Sequence, residues 1–408
     1  MLPASATPDA ARLVAARALR GFADGFVSVY LAAYLKLLGL STFQVGAVVT
    51  STLVGSAALT LAVGLVAHRL DARRVLLGAT LLMLATGAGF ALVSDFWPLL
   101  VIAFAGTLNP SSGDVSVFLP TEQSLLSSEV AAADRTALFA RYSLGGTLLG
   151  AFGALASGLP EVAAHYLGCH LIDAFRAGFA LYGAIAIGIA VLYTGMRHGG
   201  SLTGENIASA PLARSRAIVL RLTVLFSLDS FGGGFAVDSL LALWLFLRFS
   251  LSLQAAGSVF FGARLLSAFS QLASPRLAAR FGLIETMVFT HLPANLFLVL
   301  AAFMPNAPLA VTFLLLRMAL SQMDVPARQS YVMAVVPPEE RAAAASVTNV
   351  PRSLATALSP LLAGALLQLS TFGWPLVAGG LFKITYDLLL LAQFRHVRPP
   401  DERDPTAR

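Results

Sequence analysis

The chain of 408 residues contains a single cysteine, Cys169. One thiol excludes an intramolecular disulfide and any multi-thiolate metal site. Charge is scarce as well. Asp, Glu, Lys and Arg make up 12% of the sequence, against 57% hydrophobic residues and a mean hydropathy of +0.79. A soluble core of this length does not need so much apolar surface, and it needs more charge to stay dissolved. The six histidines are scattered, mostly in loops or near segment ends, and His291 stands isolated. They offer no paired-ligand or Ser/His constellation for an enzyme embedded in the membrane. No Gly-x4-Gly-Lys-Ser/Thr phosphate loop occurs, which argues against nucleotide-driven pumping. A cleavable signal is also missing, so the first hydrophobic segment is expected to direct its own insertion. No cofactor is expected.

Long apolar runs are what the chain has instead. Twelve segments are predicted, at roughly 14–39, 43–67, 74–94, 97–126, 136–159, 173–196, 217–247, 253–280, 283–304, 307–334, 341–370 and 373–395. Each suits a helix crossing roughly 30 Å of hydrocarbon. The runs are continuous and Leu/Ala-rich rather than alternating, which excludes strands, and in lipid every backbone group must be paired internally. The expectation is an all-α polytopic membrane protein with the lipid bilayer as its main surroundings.

The net charge of +6 is a matter of topology. All but two of the 27 basic residues are arginines, and most fall in loops on one side. These include Arg12, Arg17, Arg20, Arg69, Arg73, Arg74, Arg135, Arg276, Arg280 and Arg341, with more in the linker and the C-terminal tail. The opposite loops carry little beyond Lys36, Arg176 and Arg248. By the positive-inside rule both termini are cytoplasmic. The expected location is a bacterial inner membrane, and nucleic-acid binding is not expected.

The chain also repeats itself. Phe22-Ala23-Asp24-Gly25-Phe26 is answered by Phe231-Gly232-Gly233-Gly234-Phe235, and Pro120-Thr121-Glu122-Gln123-Ser124 by Pro326-Ala327-Arg328-Gln329-Ser330. Asp134-Arg135 returns as Glu340-Arg341. Two pseudo-symmetric six-helix halves are expected, 1–196 and 217–408, joined by a cytoplasmic linker at 197–216. That organisation is typical of secondary transporters, with the substrate path at the interface of the halves. Segment 5 carries Gly146, Gly150, Ala154 and Gly158 at a four-residue spacing, a face on which two helix backbones can approach closely.

Gly64-Leu65-Val66-Ala67-His68-Arg69-Leu70-Asp71-Ala72-Arg73-Arg74, between segments 2 and 3, resembles the loop motif of the major facilitator superfamily, Gly-x-Leu-Ala-Asp-Arg-x-Gly-Arg-Arg. Leu277-Ala278-Ala279-Arg280-Phe281-Gly282 resembles its weaker echo in the second half. With the twelve segments and two halves, the resemblance covers essentially the whole chain. It implies a solute transporter, mostly monomeric in this family, whose segments 1, 4, 7 and 10 line a central cavity. His68 departs from the family's Asp, with an acid reappearing at Asp71. Either Asp71 substitutes as the gating partner, or His68 makes the gate sensitive to cytoplasmic pH. Segment 5 also lacks the Gly-Pro-x-x-Gly-Gly run of the drug–proton antiporters.

Ionisable groups inside the hydrocarbon are expensive and mark function. Asp24, Asn109, Asp114, Asp229, Asp238 and Asp324 fall on segments 1, 4, 7 and 10, with Arg264 on segment 8 and Arg317 on segment 10. These residues are the expected path for a small-molecule solute and for protons. The excess of acids suggests efflux of organic cations or drugs, whereas Arg264 and Arg317 would instead serve uptake of a metabolite or organic anion. A transport-inactive sensor on the same fold is the remaining reading. Asn109-Pro110-Ser111-Ser112-Gly113 predicts a broken helix, and Gly232-Gly233-Gly234 a distortion. Arg317 and Asp324, seven residues apart, are expected on one helical face. Glu122 and Arg328 occupy equivalent positions and are expected to pair as a gate between the halves. The gating set is completed by Gly64, His68, Arg69, Asp71, Arg73, Arg74, Arg280 and Arg352. Lys383 and Asp387 read as a self-satisfying pair one turn apart. Glu161, His165, Cys169 and Asp173 recur every four residues, and a solvated loop helix is preferred over a metal site there.

Overall fold

The computed structural model describes residues 3, 5–66, 71–111, 116–130, 134–196, 212–337 and 340–395. His68, Arg69 and Asp114 lie outside the described residues. Among those described there are sixteen helices and no strand. They are α1 (Pro8–Leu37), α2 (Thr42–Val66), α3 (Ala72–Leu92), α4 (Phe96–Ala105), α5 (Phe118–Ser128), α6 (Arg135–Ala156), α7 (Leu159–Leu167) and α8 (Leu171–Thr194). The second half continues with α9 (Arg216–Gly234), α10 (Asp238–Phe249), α11 (Leu253–Phe281), α12 (Leu283–Phe303), α13 (Ala307–Ser321), α14 (Asp324–Val335), α15 (Arg341–Leu369) and α16 (Trp374–Phe394). Among the described residues, nine stretches are long and apolar enough to cross a membrane. The remaining expected segments correspond to α1 and α11, which are long but carry more charge, and to the short helices α4 and α5.

Local chemistry sets the helix ends. The Thr7 side chain accepts from Ala10 N, with Pro8 at the first helical position, and this starts α1. Asp71 starts α3 by accepting from Arg74 N at 2.9 Å, so its carboxylate serves as a helix cap. α7 ends at Gly168 in the left-handed region (φ 65°), and α8 begins at Leu171. Glu161, His165, Cys169 and Asp173 therefore do not continue along one helix, and no cluster able to hold a metal exists among the described residues.

Three expected segments are broken. α4 and α5 are separated by the stretch holding Asn109-Pro110, and α9 ends within the triple glycine. The third break, between α13 and α14, falls at Gln322-Met323. Pro326 has no N–H to offer the Gln322 carbonyl four residues back, and its ring crowds that carbonyl. Arg317 and Asp324 therefore stand on different helices, which corrects the expectation of a shared face.

The chain forms two compact units, Met1–Glu205 with Val237–Arg264, and Asn206–Ala236 with Leu265–Arg408. The six-plus-six division describes the repeat, whereas α10 and the first part of α11 pack with the first unit. Their anchor is Ser239, whose hydroxyl donates to Ser28 O at 2.6 Å and Pro110 O at 3.0 Å. In the first unit Phe26, Tyr30, Phe179 and Phe90 stack into an aromatic core, with Tyr34 Oη donating to Phe90 O at 2.7 Å. The core of the second unit gathers Val219, Phe226, Met287, Tyr331, Tyr386 and Phe394.

Close helix crossings recur at equivalent places. A Cβ on Gly25 of α1 would lie 2.0 Å from Gly150 O of α6, and one on Gly234 of α9 would lie 2.3 Å from Thr356 O of α15. The Gly146 and Gly150 part of segment 5's small-residue face is thus the seat of α1, while Ala154 and Gly158 meet Gly257 and Gln254 of α11.

Candidate functional site

Each unit buries an ion-pair network. In the first, Arg20 of α1 and Glu122 of α5 form a bidentate pair, Nη1 to Oε1 at 2.8 Å and Nη2 to Oε2 at 2.6 Å. The two side chains are 2% and 0% exposed. Tyr142 of α6 and Tyr193 of α8 donate their hydroxyls to the same carboxylate. The Arg20 guanidinium lies 4.5 Å from the Phe118 ring centroid. A buried pair survives its desolvation when the remaining lone pairs are satisfied, and the tyrosines satisfy them here.

The offset that aligns Phe22–Phe26 with Phe231–Phe235 also aligns Arg20 with Asp229. In the second unit Asp229 of α9 and Arg328 of α14 meet, Nη1 to Oδ2 at 3.0 Å. The repeat thus keeps the pair and reverses its polarity. Arg328 also lies 3.4 Å from Asp324. Lys383 of α16 donates to the other Asp229 oxygen at 2.6 Å, and His291 Nε2 of α12 is 3.7 Å from that oxygen. His291 Nδ1 is 2.9 Å from Asp387 Oδ1, while Asn295 donates to Asp387 Oδ2 at 2.9 Å. Arg352 of α15 donates from Nε to Ser230 Oγ at 3.2 Å and from Nη1 to Asn349 Oδ1 at 3.3 Å. Arg352 and Arg328 share the Phe226 ring, 6.0 and 5.5 Å from its centroid.

A third polar group belongs to the first unit. Arg264 Nη2 of α11 donates to Asp238 Oδ2 at 2.8 Å and to Ser28 Oγ at 3.0 Å. Asp229 and Asp238, close in sequence, therefore serve different networks. Asp24 stands one turn beyond Arg20, half-buried, and Asn109 Oδ1 accepts from the Ser111 amide and hydroxyl.

Several expectations are corrected. Glu122 and Arg328 each take a partner inside their own unit, Arg20 and Asp229 respectively. Lys383 and Asp387 separate toward Asp229 and His291, because a carboxylate with several donors holds its cation better than a lone neighbour one turn away. His291 is a network member, not isolated. Arg20, read as a loop charge, is among the most buried side chains. The signal for it was present: Arg20 opposite Asp229 and Glu122 opposite Arg328 are two reversals that compensate. Gly64, Arg74 and Arg280 are exposed, and Arg73 donates to Thr194 O. Arg317 reaches Met318 Sδ at 3.5 Å.

Outside the spanning stretches, Glu340 accepts from the backbone amides of Ala213, Arg214 and Ser215 at 3.2, 2.9 and 3.0 Å and from the Ser215 hydroxyl at 2.5 Å. The Ser215 hydroxyl, then the amides, lower its pKa from 4.5 to about 2. The carboxylate thereby anchors the start of α9. At the equivalent place Asp134 accepts from Ser5 Oγ at 2.6 Å.

Broken helices and buried charge pairs in a chain this apolar define a polytopic membrane protein. The profile of the Major Facilitator Superfamily matches residues 13–322, and the chain belongs to that family. Its members are solute transporters, not enzymes. The chain is 25% identical over 423 residues to the uncharacterized membrane protein YJR124C of Saccharomyces cerevisiae, covering 95% of this chain and 94% of that protein. The fold is similar to that of the nucleoside transporter NupG, with a TM-score of 0.75 and 13% identity over 96% of this chain and 100% of that one. It is similar also to a D-xylose–proton symporter, with a TM-score of 0.72 and 14% identity over 93% and 96% of the two chains.

Proposed function

We propose that the protein is a secondary active transporter that moves a small organic solute by alternating access, coupled to protons. The observation that carries this reading is the second unit's network, where Asp229 is shared by Arg328, Lys383 and His291. All four residues belong to stretches long and apolar enough to span a membrane. A charge there costs several kcal/mol even on cautious scales. A fold that needs only helix packing would replace such a network with apolar side chains at no loss. A network containing a histidine can exchange a proton as its surroundings alternate between two aqueous sides. The likeness in fold to a D-xylose–proton symporter is consistent with this.

In this reading the halves 1–196 and 217–408 contribute six membrane crossings each, with both termini cytoplasmic, in a bacterial inner membrane, as a monomer. Three of the acids that suggested export of organic cations are already matched, Asp238 by Arg264 and Asp229 and Asp324 by Arg328. This favours the second reading of direction and cargo, uptake of a metabolite or organic anion. The test is substrate-triggered proton movement in liposomes holding a pH dye, challenged with organic cations, anions and neutral metabolites. A response to one class, of a sign that separates symport from antiport, is expected. Solute equilibration without proton movement would overturn the coupling.

A further inference from the structure

We infer that the second unit holds a binding site for a monoanionic group at Arg352, matched in charge by a proton at His291, so that the solute is an organic monoanion carried with one proton. The inference rests on the proton-coupled reading and adds the class of solute.

Arg352 is the starting point. Arg20 contacts Glu122, Arg264 contacts Asp238, and Arg328 and Lys383 contact Asp229. Among the described residues Arg352 has only neutral partners, Ser230 and Asn349. A guanidinium has five N–H donors, and among the described residues these two bonds leave the two of Nη2 and one of Nη1 for the bidentate grip that fits a carboxylate. Arg352 lies within a spanning stretch, Val347–Leu369, where a cation with no carboxylate in direct contact is costly. Arg328 on the same Phe226 ring adds to the positive potential.

The charge count of the network supplies the proton. Arg328, Lys383 and Arg352 are offset by Asp229, Asp324 and Asp387, so the network is neutral while His291 is neutral. Protonating His291 leaves one net positive charge, which a monoanion at Arg352 cancels. His291 faces Asp387, Lys383 and Tyr386 from α16, Asp229 from α9 and Asp324 from α14, with Arg328 of α14 held on the other Asp229 oxygen. The sole charged residue of α13 is Arg317, and α12 itself adds Glu285 in its first turn. Of these, an imidazole alone ordinarily changes charge between pH 5 and 8. The two places are joined by rings: Tyr386 stands edge-on to both Phe226 and His291, 6.3 and 6.0 Å between centroids. Its hydroxyl is buried without a hydrogen-bond partner among the described residues.

The experiment uses the purified full chain in detergent, weakly buffered near pH 7.5 with a pH indicator, and benzoate and thiocyanate as probes. Benzoate is expected to raise the thermal midpoint and to draw in about one proton per anion bound, whereas neutral benzamide does neither. R352Q abolishes both effects and R352K weakens them. H291Q binds benzoate without proton uptake. Absence of stabilisation by both probes, equal effects of benzamide, or unchanged proton uptake in H291Q would overturn the site, and the benzamide comparison decides even if R352Q fails to fold. Proton-coupled movement of a cation or neutral solute in liposomes, with benzoate silent here, removes the anion site and keeps the transporter. Benzoate-linked proton uptake without any transport does the reverse.

Discussion

Arg20 and Glu122 in one unit, and Asp229 and Arg328 in the other, solve one problem with opposite signs. The second unit therefore demonstrates that this geometry tolerates either polarity. Removing one partner of a buried pair costs about 3–5 kcal/mol, because the other charge is left in a medium that cannot solvate it. E122Q and R20Q should each lose stability of that order, and the reversed pair R20E/E122R should recover most of it, as read by thermal unfolding with size-exclusion chromatography. Equal loss in the single and reversed variants would refute the equivalence. Glu340 makes a prediction in pH. Its folded pKa is lowered to about 2 from 4.5, so its contribution is complete above the unfolded value and disappears as pH falls through the folded one. The gap in thermal midpoint between the wild type and E340Q should be constant above pH 5 and close between about 4.5 and 2. The sequence showed which charges sit in apolar segments but not who holds whom. Arg20 and Glu122 are 102 residues apart and meet only through the packing of α1 against its neighbours. Lys383 and Asp387 look self-sufficient one turn apart until Asp229 and His291 arrive from other helices.

Helix breaks and helix contacts were legible to different degrees. Asn109-Pro110 and Gly232-Gly233-Gly234 announce interruptions through a missing donor and through poor helix propensity. The break at Gln322-Met323 was hidden because Pro326 lies in the third position of the helix it starts, where a proline is tolerated. The four-residue spacing of Gly146 and Gly150 marked a close contact, but its partner, α1, emerges only from the fold. At Gly25 the contact leaves no room for a single methyl, since a Cβ would lie 2.0 Å from Gly150 O. Gly25→Ala must push α1 off α6, and overpacking of this kind costs about 1–3 kcal/mol. Gly234→Ala should behave alike against Thr356, whereas Gly188→Ala, which meets nothing within 4 Å in the interior of α8, should keep or raise the thermal midpoint, since alanine suits a helix better than glycine. Comparable midpoints for all three variants would show that the crossings yield without cost.

Hydropathy, charge placement and the internal repeat together fixed the class of the molecule, because these depend on the bilayer and not on side-chain detail. The family match and the fold likeness agree with that class. Cargo and coupling depend on a handful of partnerships across helices, which is why a sequence reading drawn to unpaired acids pointed toward cations. Asp229, Asp238 and Asp324 are matched in the folded units, and the network around Asp229 and His291 is the one proposed to exchange protons. The most direct test of proton-coupled transport is accumulation in proteoliposomes, using the compound that moves protons in the dye experiment, with the interior alkaline or acidic relative to the outside. The account predicts that one direction of the pH gradient drives the solute above its external concentration and that a protonophore returns it to equilibrium. Equilibration to the same level with either gradient and with none would contradict it.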